Sequence, residues 1–378
     1  MGRTEPSIGR PPPAFRRDAR AKKAKATINK VIPSLLSAHP RARRGIDAAE
    51  LVIAPKAQPR PSSKGSGEAI ASPPRLTIRA CDTLTAAHFL LTSPANTTKK
   101  VAILNMASPL SPGGGFLNGA TSQEEFLCMR TTLLPSLRDE FYRLPEVGCV
   151  FTPDILVFRD SEGKDLDKKD RWFVDVVSAA MLRLPETEVD EGTGRGGYVH
   201  QKDRELVIAK MKAVMRVAQM RGATKVVLGA WGCGAYGNPV GEIARAWRRV
   251  LLGGVEGRGK GMKRGAKSID TMDTWESIED VVFAISDAGM AEAFEAAFGD
   301  SLNWADEVDG EDDSGGEGNT EEMRVKELQE RMAELQLRIG RAPNDRMKSG
   351  LEAVLAGLKS QIPEKVHVPD SPGSGSNL

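Results

Sequence analysis

The middle of the chain contains three short stretches in a fixed order: Val101-Ala102-Ile103-Leu104, Gly113-Gly114-Gly115 and Gln123-Glu124-Glu125. The first is an apolar run typical of a buried strand. Three consecutive glycines offer no packing and lose much conformational entropy on folding, so they favour a place where a phosphate or a sugar lies against the main chain. The two glutamates supply carboxylates for acid–base chemistry at the start of the next helix.

The same residues also fit a simpler interpretation, which is a helix cap. Ser122-Gln123-Glu124-Glu125 follows the S-x-x-E capping box, in which Ser122 caps the helix and Glu125 bonds back to it. Taken alone, this pattern favours the cap over a catalytic site. The glycine triplet directly upstream is what favours chemistry.

A second glycine-rich loop supports the first. Lys225-Val226-Val227-Leu228 predicts a strand, the loop spans residues 229–237, and Asn238-Pro239 predicts a helix start, with Asn238 as the cap and Pro239 as the first helical residue. A strand, a glycine loop and a helix N-terminus together form an anion cradle. Tyr236 in this loop is equally compatible with a core aromatic and with a platform for a sugar ring.

Strands and helices alternate through the central part of the chain. Further strands are predicted at residues 76–78, 154–158, 173–177 and 281–285, and helices at residues 83–91, 124–137, 239–252 and 290–298. Val207, Met211, Val214 and Ala218 share one face of another helix. This alternation predicts an α/β fold with a mainly parallel central sheet, on which the two glycine loops could hold a pyrophosphate between them.

A nicotinamide-binding Rossmann fold is the alternative for the second loop, because Gly232, Gly234 and Gly237 match G-x-G-x-x-G. The context disfavours it. The following helix leads into Gly253-Gly254 and a Gly/Lys/Arg-rich stretch, with no second strand that ends in an acidic residue. The Walker pattern is also absent.

Composition divides the chain into segments. Residues 1–15 are predicted to form a disordered basic tail, residues 16–75 a basic helical region with a stop at Pro33, and residues 300–322 an acidic linker. Apolar residues at heptad spacing predict a helical hairpin or short coiled coil over residues 323–362, which could self-associate or bind a partner helix, before a disordered tail at 363–378. The basic region is either an arm for an anionic polymer or a solvated helix face.

The cysteines and the hydropathy of the chain predict the cellular compartment. The four cysteines are dispersed and no histidine cluster accompanies them, so neither a zinc site nor a disulfide framework is predicted. No apolar run has the length of a membrane span, and the N-terminus lacks a signal-peptide core. We therefore expect a soluble intracellular protein, cytoplasmic or nuclear, without a metal or cofactor.

The chain resembles the microbial-type poly(ADP-ribose) glycohydrolases. The resemblance rests on Asn105-Met106-Ala107-Ser108, Pro112-Gly113-Gly114-Gly115, Gln123-Glu124-Glu125 and the Gly-Ala-Trp-Gly-Cys-Gly loop at residues 229–234, in that order. It covers roughly residues 16–299 and implies a catalytic domain with a macrodomain-like three-layer core over residues 76–299. The implied activity is hydrolysis of ribose–ribose bonds in poly(ADP-ribose), mainly exo, with the polymer and ADP-ribosylated proteins as partners.

The resemblance also implies roles for individual residues. Glu125 is the general acid/base, Glu124 binds ribose hydroxyls, and Gln123 shapes the site, with Asn105 and Ser108 beside it. The triplet Gly113, Gly114 and Gly115 lines the ribose and phosphate. The diphosphate loop comprises Gly232, Cys233, Gly234, Ala235, Tyr236 and Gly237, and its tyrosine stands where the family usually has phenylalanine.

Two other functions fit the same fold. One is a hydrolase of mono-ADP-ribosylated targets, and the other is a non-catalytic ADP-ribose reader in which the acidic pair is only a cap. Glu125 at the signature position disfavours the reader. Like-charge repulsion from Glu124 is expected to raise the pKa of Glu125 and keep it protonated for the first step.

Overall fold

The computed structural model describes residues 13–57, 73–92, 100–190, 192, 194–253 and 273–305, together with 332, 336, 339, 340, 348 and 355. The chain forms two compact units, Met1–Val308 and Asp309–Leu378. In the second unit all six described residues are helical and Leu355 is buried. Several predicted segments lie outside the described residues: residues 1–12 of the tail predicted at 1–15, the tail predicted at 363–378, most of the acidic linker and most of the helical hairpin.

The N-terminal region is helical and leads into a strand that the sequence did not predict. Helix α1 spans Pro13–Ala26, a π-helical turn spans Thr27–Val31, α2 spans Ile32–Ala38, α3 spans Pro40–Asp47 and strand β1 spans Glu50–Ile53. The predicted stop at Pro33 is wrong. Pro33 lies at the start of α2, directly after the π-helical turn that joins α2 to α1, and the chain stays helical past it. The predicted tail, residues 1–15, overlaps α1 by three residues, because α1 begins at Pro13.

The central part alternates strands and helices as the sequence predicts. Its elements are β2 (Arg75–Arg79), α4 (Thr83–Thr92), β3 (Lys100–Met106), α5 (Gln123–Arg130), β4 (Gly148–Val157), β5 (Trp172–Ala179), β6 (Thr187–Val189), β7 (Gly196–Tyr198), α6 (Gln201–Met220), β8 (Ala223–Leu228), α7 (Val240–Leu252), β9 (Asp280–Ala284), α8 (Ala288–Phe298) and β10 (Asn303–Trp304).

One eight-stranded sheet organises the first unit. Its strand order is β1-β4-β5-β3-β8-β9-β2-β10, and the pairs from β5 to β10 are parallel whereas β1 and β4 pair antiparallel. Strands β6 and β7 form a separate two-stranded sheet. The mainly parallel α/β prediction is therefore confirmed, with antiparallel strands added at one edge.

Helices cover both faces of the sheet, so its central strands are buried on both sides. Along β3, Ala102 and Leu104 pack into the cluster that contains α6, α7 and α8, whereas Val101 and Ile103 pack into the cluster that contains α4 and α5. This period of two is the pleat of the strand. It explains why a continuous apolar run, rather than an alternating one, marks β3 in the sequence.

Helix α5, which follows the glycine triplet, is shorter than predicted. Helix α5 ends at Arg130 instead of Leu137, and a 3₁₀ turn at Leu134–Ser136 contains Pro135. The helix ends because Thr131 is extended, with φ −134° and ψ 169°, and forms an isolated antiparallel bridge with Val157. Among the residues that the structure describes, no helix is both long and apolar enough to cross a lipid bilayer.

Candidate active site

Three loops meet at one edge of the sheet because β5, β3 and β8 are adjacent parallel strands. The carboxyl ends of such strands lie side by side, where α/β sheets commonly bind ligands. The first loop, residues 107–122, follows β3; the second loop, residues 229–239, follows β8; and the third loop, residues 180–186, follows β5. The two glycine-rich stretches of the sequence are thus brought together.

Gln123 fixes helix α5 to the end of β3. Its Oε1 accepts a hydrogen bond from the Met106 N–H at 2.9 Å, and its Nε2 donates to the Leu104 carbonyl at 2.7 Å and to Thr83 Oγ1 at 3.1 Å. These bonds satisfy backbone groups that the strand leaves unpaired where it ends. Gln123 therefore positions the two glutamates that follow it.

We expect Gln123→Leu to lower the free energy of unfolding by roughly 2–4 kcal/mol, because the Met106 N–H and the Leu104 carbonyl lose their partner in a largely buried place. Urea denaturation measures this change. Gln201→Leu is the matched control, since Gln201 is exposed and its side chain contacts only Glu205 in the described part of the chain. Equal effects of the two substitutions would contradict the positioning role.

Glu125 is held by the loop in front of it. Its Oε1 accepts a hydrogen bond from the Gly115 N–H at 2.7 Å, and its Oε2 accepts one from the Ser122 hydroxyl. Ser122 has the extended backbone of an N-cap residue, but its side chain makes no capping bond to the helix. The predicted capping box is therefore wrong in its bonds: the serine hydroxyl binds the carboxylate instead of the backbone.

The glycine triplet is required by the protein's own contacts. Gly114 has a φ of +57°, and a Cβ there would lie 2.7 Å from Glu125 Oε1 and 2.8 Å from Glu124 Oε2. A Cβ on Gly113, at φ +68°, would lie 2.4 Å from Leu134 Cδ1, and one on Gly115 would lie 2.7 Å from Ala120 Cβ. The loop thus lies directly against both carboxyl groups.

Glu124 is the more deeply buried of the two glutamates, at 2 % exposed against 7 % for Glu125. Burial raises the pKa of Glu124 to about 8; the Ser108 N–H, which donates to Oε2 at 2.8 Å, opposes the rise, and the charge of Glu125 adds to it. Desolvation of Glu124 therefore affects its pKa more than the repulsion between the two charges does.

Asn105 lies beside Glu124 at the end of β3. It is fully buried, its Nδ2 donates to Ser178 Oγ at 3.0 Å, and its amide acts on the pKa of Glu124. Asn105 Oδ1 and Glu124 Oε1 are both buried acceptors without a donor among the described residues. Burial has the largest effect on the pKa of Glu124 and raises it, whereas the Ser108 N–H, the Asn105 amide and the Gly113 N–H lower it.

The second loop presents backbone donors. Gly232 and Gly237 have positive φ values of 81° and 68°, and the loop closes on itself through the Asn238 N–H to the Gly232 carbonyl at 3.1 Å. The N–H groups of Gly234, Ala235 and Tyr236 have no acceptor within the part of the chain that the structure describes. Successive N–H groups that are left unpaired in a glycine-rich turn are suited to bind an anion. Cys233 is half-buried beside them, and burial raises the pKa of its thiol.

Asn238 has a different role from the one that the sequence predicted. Pro239, not Asn238, is the N-cap of α7, and it has no side-chain donor or acceptor. The Asn238 side chain instead donates to the carbonyls of Leu182 at 2.8 Å and Gly232 at 3.1 Å, and accepts from the Tyr198 hydroxyl at 2.7 Å. It therefore joins the second loop to the third loop.

Ser108 and Tyr236 connect the first loop to the second. Burial raises the pKa of Tyr236, and a hydrogen bond with the Ser108 side chain opposes this; Glu124 and Glu125 also act on it. Because the Ser108 N–H binds Glu124, one residue contacts the acidic pair and the tyrosine of the other loop. Ser108 thus links the acidic pair of the first loop to Tyr236 of the second loop.

Residues 46–160 match the family model "Microbial-type PARG, catalytic domain". This stretch contains the first loop and the acidic pair, and it confirms the resemblance found in the sequence. The second and third loops lie outside it. No curated protein matches the chain by sequence.

Solved structures of poly(ADP-ribose) glycohydrolase (PARG) from Thermomonospora curvata share the fold. One is 22 % identical over 74 % of this chain and 98 % of its own, with a TM-score of 0.53. A second, bound to the inhibitor ADP-HPD, is 22 % identical over the same shares, with a TM-score of 0.51. The PARG fold therefore extends over most of this chain, well beyond the matched 46–160.

Within the PARG-matched stretch, Tyr142 is a site residue that the sequence did not reveal. Burial, followed by the charge of Glu124, raises the pKa of its hydroxyl, and the hydroxyl has no partner among the described residues. Tyr236 acts on it as well, so the two tyrosines border the same acidic pair. Tyr142 follows a 3₁₀ turn and belongs to no motif, so no signal in the sequence could have identified it.

The N-terminal helix also reaches the first loop of this PARG fold. Arg17 Nε donates to the Asn118 carbonyl and Arg20 Nε donates to the Gly119 carbonyl, both at 2.9 Å. Gly119 has a φ of +73°, and a Cβ there would lie 2.2 Å from the Arg17 carbonyl oxygen. The basic helix thus supports the loop, in addition to exposing other lysines and arginines. Among the described residues there is no group of three or more His, Cys, Asp or Glu that could hold a metal ion.

Proposed function

We propose that the chain is a poly(ADP-ribose) glycohydrolase that releases ADP-ribose from the polymer ends, with a catalytic domain over residues 16–299. The observation that carries the proposal is the pair of carboxyl groups held against the glycine triplet by Gly115, Ser122 and Ser108. An ordinary helix cap would turn these side chains toward the helix backbone. Here they turn toward the loop that borders the site.

The chemistry follows from the contacts. Cleavage of a ribose–ribose glycosidic bond passes through an oxocarbenium-like state, so the leaving oxygen needs a proton and the sugar then needs an activated water. Protonated Glu125 gives its proton to the leaving oxygen, and the resulting carboxylate takes a proton from the attacking water. The Gly115 N–H and the Ser122 hydroxyl support this role because they stabilise the carboxylate formed in the first step.

Glu124 is proposed to bind a ribose hydroxyl next to the scissile bond. With a pKa raised to about 8, it holds a proton at neutral pH and can donate a hydrogen bond as well as accept one. The second loop is proposed to bind the diphosphate through the N–H groups of Gly234, Ala235 and Tyr236, and Tyr236 to lie against the terminal ribose. ADP-ribosylated proteins are the proposed partners, inside the cell.

The test is to incubate the wild type and Glu125→Gln with purified poly(ADP-ribose) and to measure free ADP-ribose by chromatography. We expect release by the wild type and a loss of about 10²–10⁴-fold in Glu125→Gln, because general acid–base catalysis contributes that factor. Glu162→Gln is the matched control, since Glu162 is exposed and pairs with Lys164. Both variants should keep the wild-type melting temperature.

The products distinguish the alternatives. Monomeric ADP-ribose from the first time points supports exo action, whereas oligomers at those points contradict it. Release from mono-ADP-ribosylated protein but not from polymer would contradict the polymer substrate. Tight binding of ADP-ribose by both forms without any release would replace the enzyme with a reader.

A further inference from the structure

Arg183 lies in the third loop, at a point where the backbone on both sides is bound to the second loop. The Leu182 carbonyl accepts from Asn238 Nδ2 at 2.8 Å, and the Leu184 N–H donates to the Tyr236 carbonyl at 2.9 Å. Leu184 has a φ of +51°, which is uncommon for a residue with a branched side chain and sharply redirects the chain. The backbone that carries Arg183 is therefore fixed next to the proposed diphosphate loop.

The rest of the site has an acidic character. Besides burial, the charges of Glu124 and Glu125 raise the pKa of Tyr236, and the charge of Glu124 raises that of Tyr142. Arg183 is the one cation among the groups that act on these tyrosines and on Glu124 in the described residues. It favours the ionised form of Tyr236 against the larger effect of burial. An ADP-ribose unit brings two phosphate charges to this place, and a guanidinium beside them would stabilise these charges.

The guanidinium of Arg183 is available for a ligand. The side chain is exposed, and no hydrogen bond or ion pair joins it to another described residue. Arg204 on α6 is not available for a ligand in this way, because its guanidinium donates to Glu242 Oε1 at 3.0 and 3.1 Å. Arg245 on α7 also lies near Glu242, at 3.8 Å. Arg183 thus has no competing carboxylate within the described part of the chain.

We propose that Arg183 binds the pyrophosphate of the ADP-ribose unit held by the second loop, together with the N–H groups of Gly234, Ala235 and Tyr236. This inference rests on the proposed function. A planar guanidinium can bond two phosphate oxygens at once, while the backbone N–H groups bind others. Arg183 is a substrate-binding residue and takes no part in proton transfer.

The experiment measures ADP-ribose binding by isothermal titration calorimetry for the wild type, Arg183→Ala, Arg183→Lys and Arg249→Ala. Arg249 is the matched control, because it is exposed on the same α7 whose N-terminus faces the second loop, but lies nine residues from that terminus. We expect Arg183→Ala to weaken binding roughly tenfold to hundredfold, Arg183→Lys to recover part of the loss, and Arg249→Ala to bind as the wild type does.

Steady-state hydrolysis of the polymer gives a second measurement. We expect Arg183→Ala to raise KM by a similar factor and to leave kcat within about twofold, because the lost contact is made equally before and during the reaction. Added salt should weaken ADP-ribose binding more in the wild type than in Arg183→Ala.

The outcomes separate this inference from the proposed function. Unchanged ADP-ribose affinity in Arg183→Ala overturns the inference, even where polymer hydrolysis slows, because the arginine would then contact some other part of the polymer. If the wild type hydrolyses the polymer and Arg183→Ala binds ADP-ribose normally, the proposed glycohydrolase function is supported and only the proposed role of Arg183 is contradicted. If the wild type neither binds ADP-ribose nor hydrolyses the polymer, both the proposed function and the role of Arg183 are contradicted.

Discussion

Replacing Gly114 with alanine is expected to lower the release of ADP-ribose by at least about 10²-fold, the largest loss that we expect from a change outside the two glutamates. The new Cβ would lie 2.7 Å from Glu125 Oε1 and 2.8 Å from Glu124 Oε2. Neither carboxyl can move aside without losing a bond, to Gly115 and Ser122 or to Ser108. Both groups would shift by a distance that matters for proton transfer.

The control separates this displacement from backbone strain. Gly222 has a φ of +77°, but a Cβ there would have nothing within 4 Å. Gly222→Ala therefore carries the cost of a positive φ, on the order of 1 kcal/mol, without touching any site residue. We expect it to lower stability slightly and to keep full activity. If both alanine variants released ADP-ribose as fast as the wild type, the close contact between Gly114 and the carboxyl groups would not be needed for activity.

Replacing Glu124 with glutamine is expected to change how stability depends on pH. A carboxyl whose pKa rises from 4.5 in the unfolded chain to about 8 in the folded protein keeps its proton longer when folded. Between these values the unfolded state has lost the proton and the folded state has not, so the free energy of unfolding falls as pH rises. The loss begins near pH 4.5 and is complete above pH 8.

Glutamine cannot ionise, so Glu124→Gln should lack this part of the decline. Relative to the wild type, we expect the variant to gain roughly 2–4 kcal/mol of stability between pH 5 and pH 9, read from urea denaturation at several pH values. Glu162→Gln, at an exposed position, should follow the wild-type curve. Parallel curves for the wild type and Glu124→Gln would show that Glu124 is not protonated in the folded protein at neutral pH.

The sequence was sufficient for features that depend on neighbouring residues. The apolar runs of β3, β5, β8 and β9 predicted the buried strands because those strands are covered on both faces. The order of strand, glycine loop and helix predicted which loops would meet, since the carboxyl ends of adjacent parallel strands share an edge. The acidic pair was found for the same reason: its spacing from the glycines is local.

Features that depend on contacts between distant residues could not be predicted. Strand β1 is a four-residue edge strand whose partner, β4, lies almost a hundred residues later. Asn238 looked like a cap because of its place before Pro239, but its side chain bonds to Leu182 and Tyr198 in other segments. Glu124 is buried more deeply than Glu125. The sequence cannot show this, because the two residues are identical and adjacent.

Helix α1 contacts the first loop at Gly119, and the ribosome synthesises these two segments at different times. Arg17 and Asn118 are separated by 101 positions, so the ribosome makes the helix roughly 5–20 s before the loop that it supports. The second loop follows the first by a similar interval. The nascent chain therefore carries both glutamates well before it contains the loop proposed to bind the diphosphate, and the three loops come together only when the last of them has been made.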